Sequence, residues 1–405
     1  MNLLLRNIGR VLPMRADAHE VIENAAIVIA DGAVRWIGAE SDLVASGEAV
    51  GTGGSVRELD AGGRVVVPGF VDPHTHLVWA GTRREEFVAR LAGEQYDGGG
   101  IATTVAATRA ASDAELFDLA LARGRRMIAN GTTTVEIKTG YGLTPHDELR
   151  SLDVIARLGA ELPWQVEATY LGAHVVPDGR DRGEYVAEVI RTIPEAASRG
   201  ARWVDVFCDV GVFTLDETTR ILEAATAAGL GTRLHAEEIG HTGAAGLAAQ
   251  VGCASADHLE HVTEADARAM ASTGVVGVLL PTVTLSLRTF TFGQYAVLRE
   301  AGVRLALSTD CNPGTSWCES MPYVVQLACL VYGMPVHEAI WAATRGGAEA
   351  LRRADVGRID LGVRADLAIL DVDHEADLVA NLGGARCWQT IVGGDVWATS
   401  AWHRT

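Results

Sequence analysis

VVVPGFVDPHTH, residues 65–76, is the stretch on which the fold turns. An apolar, β-branched run ends in Pro-Gly, resumes for two residues and delivers His74 and His76 at its far end. In extended backbone, residues i and i+2 project to one side, so both imidazoles can reach a single cation. Seven further runs of the same kind follow, at Thr132–Ile137, Val166–Leu171, Val204–Phe207, Thr232–Leu234, Ala254–Ala256, Val275–Leu280 and Val303–Leu307, after Val65–Val71 itself. Between them lie segments rich in Ala, Leu, Glu and Arg, such as Asp113–Ala129, Leu215–Ala228 and Thr263–Ser272, with helical periodicity. Strands alternating with helices imply a parallel sheet, and eight such units have the size of a (β/α)8 barrel. Two more helices are expected after the eighth strand, around Tyr323–Tyr332 and Val336–Thr344.

The chain ends read differently. Ala25–Ala30, the turn signal Asp31-Gly32 and Val34–Gly38 form one hairpin pattern; Leu367–Val372, Gln389–Val392 and Asp395–Ala398 form another set of short strands. Neither end holds enough strand to close a core, so the expectation is one small β-sandwich domain built from 1–62 and 357–405, with the barrel of 63–356 inserted between them. Gly51–Gly54 and Gly98–Gly100 read as loops within this plan.

Composition narrows the function classes. The 405 residues are 48% hydrophobic and carry a formal net charge of −18, which excludes a broadly basic nucleic-acid surface. A small anionic substrate stays compatible, because one positioned Arg can hold a carboxylate. No apolar stretch reaches the roughly 18 residues of a membrane helix, and Met1–Glu20 offers only a three-leucine run. The six cysteines form no C-x-x-C pair, so neither a zinc knuckle nor a disulfide scaffold is indicated. A soluble cytoplasmic protein without nucleic-acid or membrane partners is expected.

Chemistry-bearing residues gather at the strand ends: His74 and His76, Lys138 and Tyr141, His174, Cys208 and Asp209, His235 and Glu238, Asp257-His258 with His261, and Asp310 with Asn312. Side chains at the carboxyl ends of barrel strands converge on one face, where such barrels keep their active sites. Six of the twelve histidines stand there. His235 and Asp310 complete an N3O donor set with His74 and His76, which suits Zn or Fe better than Mg or Ca.

The pattern His74-Thr-His76, His235, Asp310 and the closing Gly357-x4-Gly362-x2-Ala365-Asp366 resembles the amidohydrolase superfamily. HTHLVWAG (74–81) with Arg83, EIKTGYGL (136–143), LGAH (171–174), DVFCDVGVF (205–213), HAEE (235–238), SADHL (255–259) and STDCNPGTS (308–316) narrow it to the imidazolonepropionase family, over nearly the whole chain. The resemblance implies hydrolysis of 4-imidazolone-5-propanoate to N-formimidoyl-L-glutamate in histidine degradation. It makes His74, His76, His235 and Asp310 ligands of one Zn or Fe ion per chain, divalent or trivalent, and implies a homodimer. It assigns substrate contacts to Arg83, Tyr141, His174, Glu238, Asn312, Gly314 and Thr315. Two departures from the family pattern are a shorter loop at Tyr96–Gly98 and Trp79 where Phe is more usual.

Asp310 is the expected proton shuttle, Glu238 either helps to activate water or binds the ring nitrogens, and His258 orients the water or a ligand. Lys138 is either a carbamylated bridging ligand or, as we favour, a structural ion pair with Glu136; His261 sits on a solvated helix start. Arg83 either holds the propanoate or pairs with Glu85 or Glu86. The rival functions are an amidohydrolase releasing ammonia from a cyclic amidine and an inactive barrel kept as a scaffold; an intact donor set disfavours the second.

Overall fold

The computed structural model describes residues 2–16, 19–47, 56–93, 100–289, 292, 294–384 and 386–397; Gly51–Gly54, the Tyr96–Gly98 loop, Ala398 and His403 lie outside them. Its strands are β1 (Asn2–Val11), β2 (Ile22–Ala30), β3 (Ala33–Ala39), β4 (Val56–Asp60), β5 (Val65–Pro68), β6 (Phe70–Asp72), β7 (Thr132–Lys138) and β8 (Gln165–Ala173). These continue with β9 (Trp203–Cys208), β10 (Gly231–Ala236), β11 (Ser255–His258), β12 (Val276–Leu279), β13 (Leu305–Leu307), β14 (Leu367–Leu370), β15 (Cys387–Val392) and β16 (Asp395–Val396).

β6 to β13 pair in sequence order as one parallel eight-stranded sheet. Such strands are covered on both faces, and β7 is accordingly buried at every position. Helices fill the connections, and the residues that start them are capping types: Ser112, Thr144, Asp181, Thr214 and Thr263 each accept the backbone N–H three residues on. Side chains close the seam between β13 and β6. Asp72 accepts Ser308 Oγ, the Thr309 N–H at 3.1 Å and Thr309 Oγ1 at 2.6 Å, while burial pushes its carboxyl up to about 6. Thr75 bridges to Cys311 beside it, and the His76 N–H donates to the Cys311 carbonyl at 3.0 Å. The seam therefore fixes the first two histidines against the loop that carries Asp310.

A second sheet runs β16-β15-β14-β5-β1-β2-β3, with β4 alongside the first half of β1, so both chain ends contribute. Alternation divides its two faces. Leu5, Ile27, Val66, Leu367, Ile369 and Ile391 form a core of their own, whereas Val65, Val67, Ala368 and Leu370 pack into the barrel's core.

Two expectations change, and one strand goes beyond them. The run Val65–Val71 is two strands: β5 belongs to the second sheet and only β6 to the barrel. Pro68 lacks an N–H to continue a ladder, and the Gly69 N–H turns to the Asp366 carbonyl at 2.8 Å. β1 was not legible as a strand because Asn7, at φ 52°, sits in a register shift between Leu5 and Ile8 that breaks the alternation. The helix expected over Val336–Thr344 ends at Trp341 and continues as a π-helical turn over Ala342–Gly346.

Candidate active site

His74 and His76 leave β6 pointing at Asp310, whose Oδ1 lies 3.5 Å from His74 Nε2 and 3.4 Å from His76 Nε2. Asp310 has φ 46°, a left-handed turn that swings its carboxylate back under the two rings. From β10, the ring of His235 packs 4.4 Å from that of His74, and the His258 ring, at the end of β11, stands 5.3 Å from His235. Donor atoms of His74, His76 and Asp310 lie within 4.8 Å of one another, and so do those of His74, His235 and His258. His74 Nε2 and Asp310 Oδ1 are buried without a hydrogen-bond partner, which is costly unless a cation takes them. Burial holds the rings of His74, His76 and His258 neutral, the form that binds metal, and raises the Asp310 carboxyl. The residues present therefore fit a metal ion; His74 belongs to both groups, His76 and Asp310 to one, and His235 to the other, which it shares with His258.

Behind the donors lies a buried ion network that the sequence reading had only in part. Asp257 Oδ2 is 2.6 Å from His74 Nδ1, and Asp205 Oδ1 is 3.1 Å from His235 Nδ1. A carboxylate only accepts, so each Nδ1 carries the hydrogen and each Nε2 lone pair faces the donor cluster. Lys138 Nζ reaches Asp205 at 2.7 Å and Glu136 at 2.9 Å; Arg233 Nη2 lies 3.4 Å from Asp257. Burial alone would lower the Lys138 ammonium, but Asp205 and Glu136 hold it charged. Lys138 thus makes the expected ion pair with Glu136, with Asp205 as a second partner. The signal was present: Glu136, Asp205, Arg233 and Asp257 are charged residues inside otherwise apolar strands.

The cavity above the cluster is lined by His76, Arg83, Tyr141, His174, His235, Glu238, His258, Asp310, Asn312 and Thr315, with Ile101 and Phe207. His174 Nδ1 donates to the Gly140 carbonyl at 2.9 Å; burial, then His235, lowers its pKa to about 4, leaving Nε2 as an acceptor. The Tyr141 ring stands 5.3 Å from it. Glu238 sits on a loop fastened by Asp209, which accepts the N–H groups of Glu238, Ile239 and Gly240 at 2.7, 3.0 and 3.1 Å. Burial, then Glu260 and Asp310, pushes the Glu238 carboxyl well up, and its Oε2 lies 3.7 Å from His258 Nε2.

Asn312 closes its own loop. Its Oδ1 accepts the N–H groups of Gly314 and Thr315 at 2.8 and 2.7 Å, and its Nδ2 donates to the Asp310 carbonyl and to Thr315 Oγ1, both at 2.8 Å. Gly314 is not among the lining residues; its carbonyl accepts from Arg90 at 2.7 Å. Arg83 lines the cavity, and of its two expected carboxylate partners in the chain it pairs with Glu86, at 2.7 Å. His261 is exposed at a turn, while Cys208 and Cys311 are buried, their thiols pushed up by burial.

Residues 65–397 match the model of the amidohydrolase family. The chain is 42% identical to an imidazolonepropionase of Mycolicibacterium smegmatis over 98% of both chains. It is 46% identical to one of Salinispora arenicola, over 94% of this chain and 95% of that one. Among solved structures, a 5-methylcytosine deaminase of Klebsiella pneumoniae shares the fold with a TM-score of 0.72 at 18% identity, over the full length of both chains. With its donor cluster, barrel and near full-length likeness, the chain belongs to the amidohydrolase family and, within it, to the imidazolonepropionases.

Proposed function

We propose that this protein hydrolyses 4-imidazolone-5-propanoate to N-formimidoyl-L-glutamate, using one Zn or Fe ion held by His74, His76, His235 and Asp310. The observation that carries this reading is one cavity that joins an orphaned N/O donor cluster to a buried arginine and to an imidazole fixed as an acceptor. A bound ion of this class polarises a carbonyl and lowers the pKa of water toward neutrality. Everything else falls to the side chains. Water adds to the ring carbonyl carbon, the bond from that carbon to the ring nitrogen breaks, and the water proton ends on the leaving nitrogen. The Asp310 carboxylate, beside both His Nε2 atoms, is the group we assign to carry that proton. Glu238, whose carboxyl is raised by burial, binds the ring nitrogens, with His258 beside it. His174 Nε2 accepts a ring N–H, and Arg83 pairs with the propanoate. The homodimer implied by the family resemblance and the cytoplasmic setting expected from the composition go with this assignment.

The direct test follows the loss of ultraviolet absorbance of freshly generated imidazolone propanoate. Turnover should vanish with a chelator and return with Zn or Fe, and metal analysis should find about one equivalent per chain. Ammonia released from a cyclic amidine instead, or two bound equivalents, would replace this assignment.

Arg83→Ala should lower kcat/KM by about 10- to 100-fold, the worth of a charged hydrogen-bond pair of roughly 1.5–3 kcal/mol. Because the propanoate is remote from the bond broken, the loss should fall on KM. Arg84→Ala, one residue on and exposed, is the control. An unchanged KM in Arg83→Ala removes the carboxylate assignment.

A further inference from the structure

Glu148 is a buried carboxyl group that the reaction proposed above does not use. It stands in the first turns of the helix Pro145–Glu161 and reaches back over that helix's N-terminus to the turn before it. Its Oε1 accepts the N–H groups of Gly142 and Leu143 at 2.8 and 2.7 Å, and its Oε2 accepts that of Gly140 at 2.8 Å. Thr139, whose Oγ1 accepts the Leu171 N–H at 2.9 Å, adds a side-chain hydrogen bond to it. Backbone N–H groups only donate, so both oxygens of Glu148 serve as acceptors here. Burial raises the carboxyl, and these bonds oppose the rise.

The turn so tied, 139–143, follows β7 and carries Tyr141 between the bound residues Gly140 and Gly142. His174 meets the same turn from the end of β8. Its Nδ1 donates to the Gly140 carbonyl at 2.9 Å, the bond that leaves Nε2 as the acceptor in the cavity. Gly140 therefore has its N–H on Glu148 and its carbonyl on His174. Its φ is 112°, and a Cβ there would come within 2.9 Å of His174 Nδ1, so backbone and imidazole meet with no side chain between them. Leu143 ends the turn at φ 50°, a left-handed backbone that its N–H bond to Glu148 helps to hold. Arg109 holds the Gly142 carbonyl at 2.6 Å, which leaves the Gly140 N–H to Glu148.

We propose that Glu148 is a positioning residue for His174. By holding Gly140 it fixes the carbonyl that decides which imidazole nitrogen faces the substrate, and at what angle. Glu148 is not among the residues lining the cavity, so it acts through His174 and not on the substrate. The inference rests on the substrate contact given to His174 in the proposed function.

The test compares the metal-loaded wild type with Glu148→Gln, Glu148→Asp, His174→Ala and the double variant Glu148→Gln/His174→Ala, on 4-imidazolone-5-propanoate. Wild-type turnover comes first; its failure overturns the proposed function rather than this inference. An unchanged KM in His174→Ala removes the contact made by His174 and this proposal with it. Glu148→Gln puts an amide NH2 where an oxygen accepted, and should raise KM about tenfold, with kcat within about threefold and about one metal equivalent retained. Glu148→Asp keeps the charge but withdraws it from the turn by a methylene group, and should raise KM about as much. Action by charge alone on an anionic substrate would instead lower KM in Glu148→Gln and leave it unchanged in Glu148→Asp. In the His174→Ala background Glu148→Gln should add no more than about twofold to KM, because the group it positions is gone. Amide exchange over 139–143 should quicken in both Glu148 variants while β7 keeps its wild-type protection. Should Glu148→Gln not fold, Glu148→Asp alone and with His174→Ala makes the same comparison; failure of both to fold assigns Glu148 to the fold alone and overturns the proposal. Loss of metal, an undiminished KM effect in the His174→Ala background, the charge-only pattern, or an unchanged KM in both Glu148 variants overturns it as well.

Discussion

Asp310→Asn should lose about a thousandfold in kcat while keeping part of its metal. The substitution keeps the shape of the side chain that lies 3.5 and 3.4 Å from the Nε2 atoms of His74 and His76, but replaces a proton-accepting oxygen by an amide nitrogen. Loss of a positioned general base costs about 10²- to 10⁴-fold, and here the same group also contributes the anionic ligand. His235→Ala is the companion experiment. It removes a donor from the centre of the imidazole cluster and leaves Asp205 Oδ1 with the His235 backbone N–H alone of its two contacts to that residue. We expect bound metal to fall below detection after dialysis and turnover to fall with it. Metal analysis beside kinetics separates the two variants: one fails in proton transfer, the other in metal retention. An Asp310→Asn enzyme of near wild-type rate would take Asp310 out of the proton path.

Lys138→Met should be the most destabilising single change in the barrel, by about 3–5 kcal/mol, because it strands buried carboxylates that now share one ammonium. Lys138, Glu136 and Asp205 have fully buried side chains, and Nζ lies 2.9 and 2.7 Å from the two acids. Denaturant titration of the metal-free protein measures the loss without the added stability of the ion. Adding Glu136→Gln should recover part of it, since one stranded charge is removed with the cation. The metal-loaded form should also bind its ion more weakly, as Asp205 orients His235 from the same network. A Lys138→Met protein within about 1 kcal/mol of wild type would show that the three groups are not held as ions.

The two substitutions probe layers of the site that differ in how visible they are in the chain. The outer layer, the donors themselves, stands at strand ends in order: His74 and His76 after the first apolar run, His235 after the fifth, Asp310 after the eighth. A barrel converts that order into proximity, so periodicity and position were enough to nominate them. The layer beneath was visible only as an anomaly, charged residues within apolar strands. Nothing in the spacing told that Asp257 would meet His74, from a strand 183 residues away, rather than its neighbour His258.

The amino-acid order by itself carried the eight β/α units and the candidate N/O donors at their strand ends, and it places capping residues at the helix starts. These follow from local rules: alternation, capping and the fixed side of each residue in a strand. Other features were decided only by the assembled chain. The run at 65–71 is divided between two sheets because β14, some 300 residues later, offers β5 an antiparallel edge. Arg83 is buried at the cavity wall rather than solvated at a helix start because Gly314 and Gly100, from two distant segments, leave room for it beside Glu86. β14 and Gly314 are both remote in sequence from the residues whose place they decide, and a polar group's role depends on which partner reaches it when water is excluded.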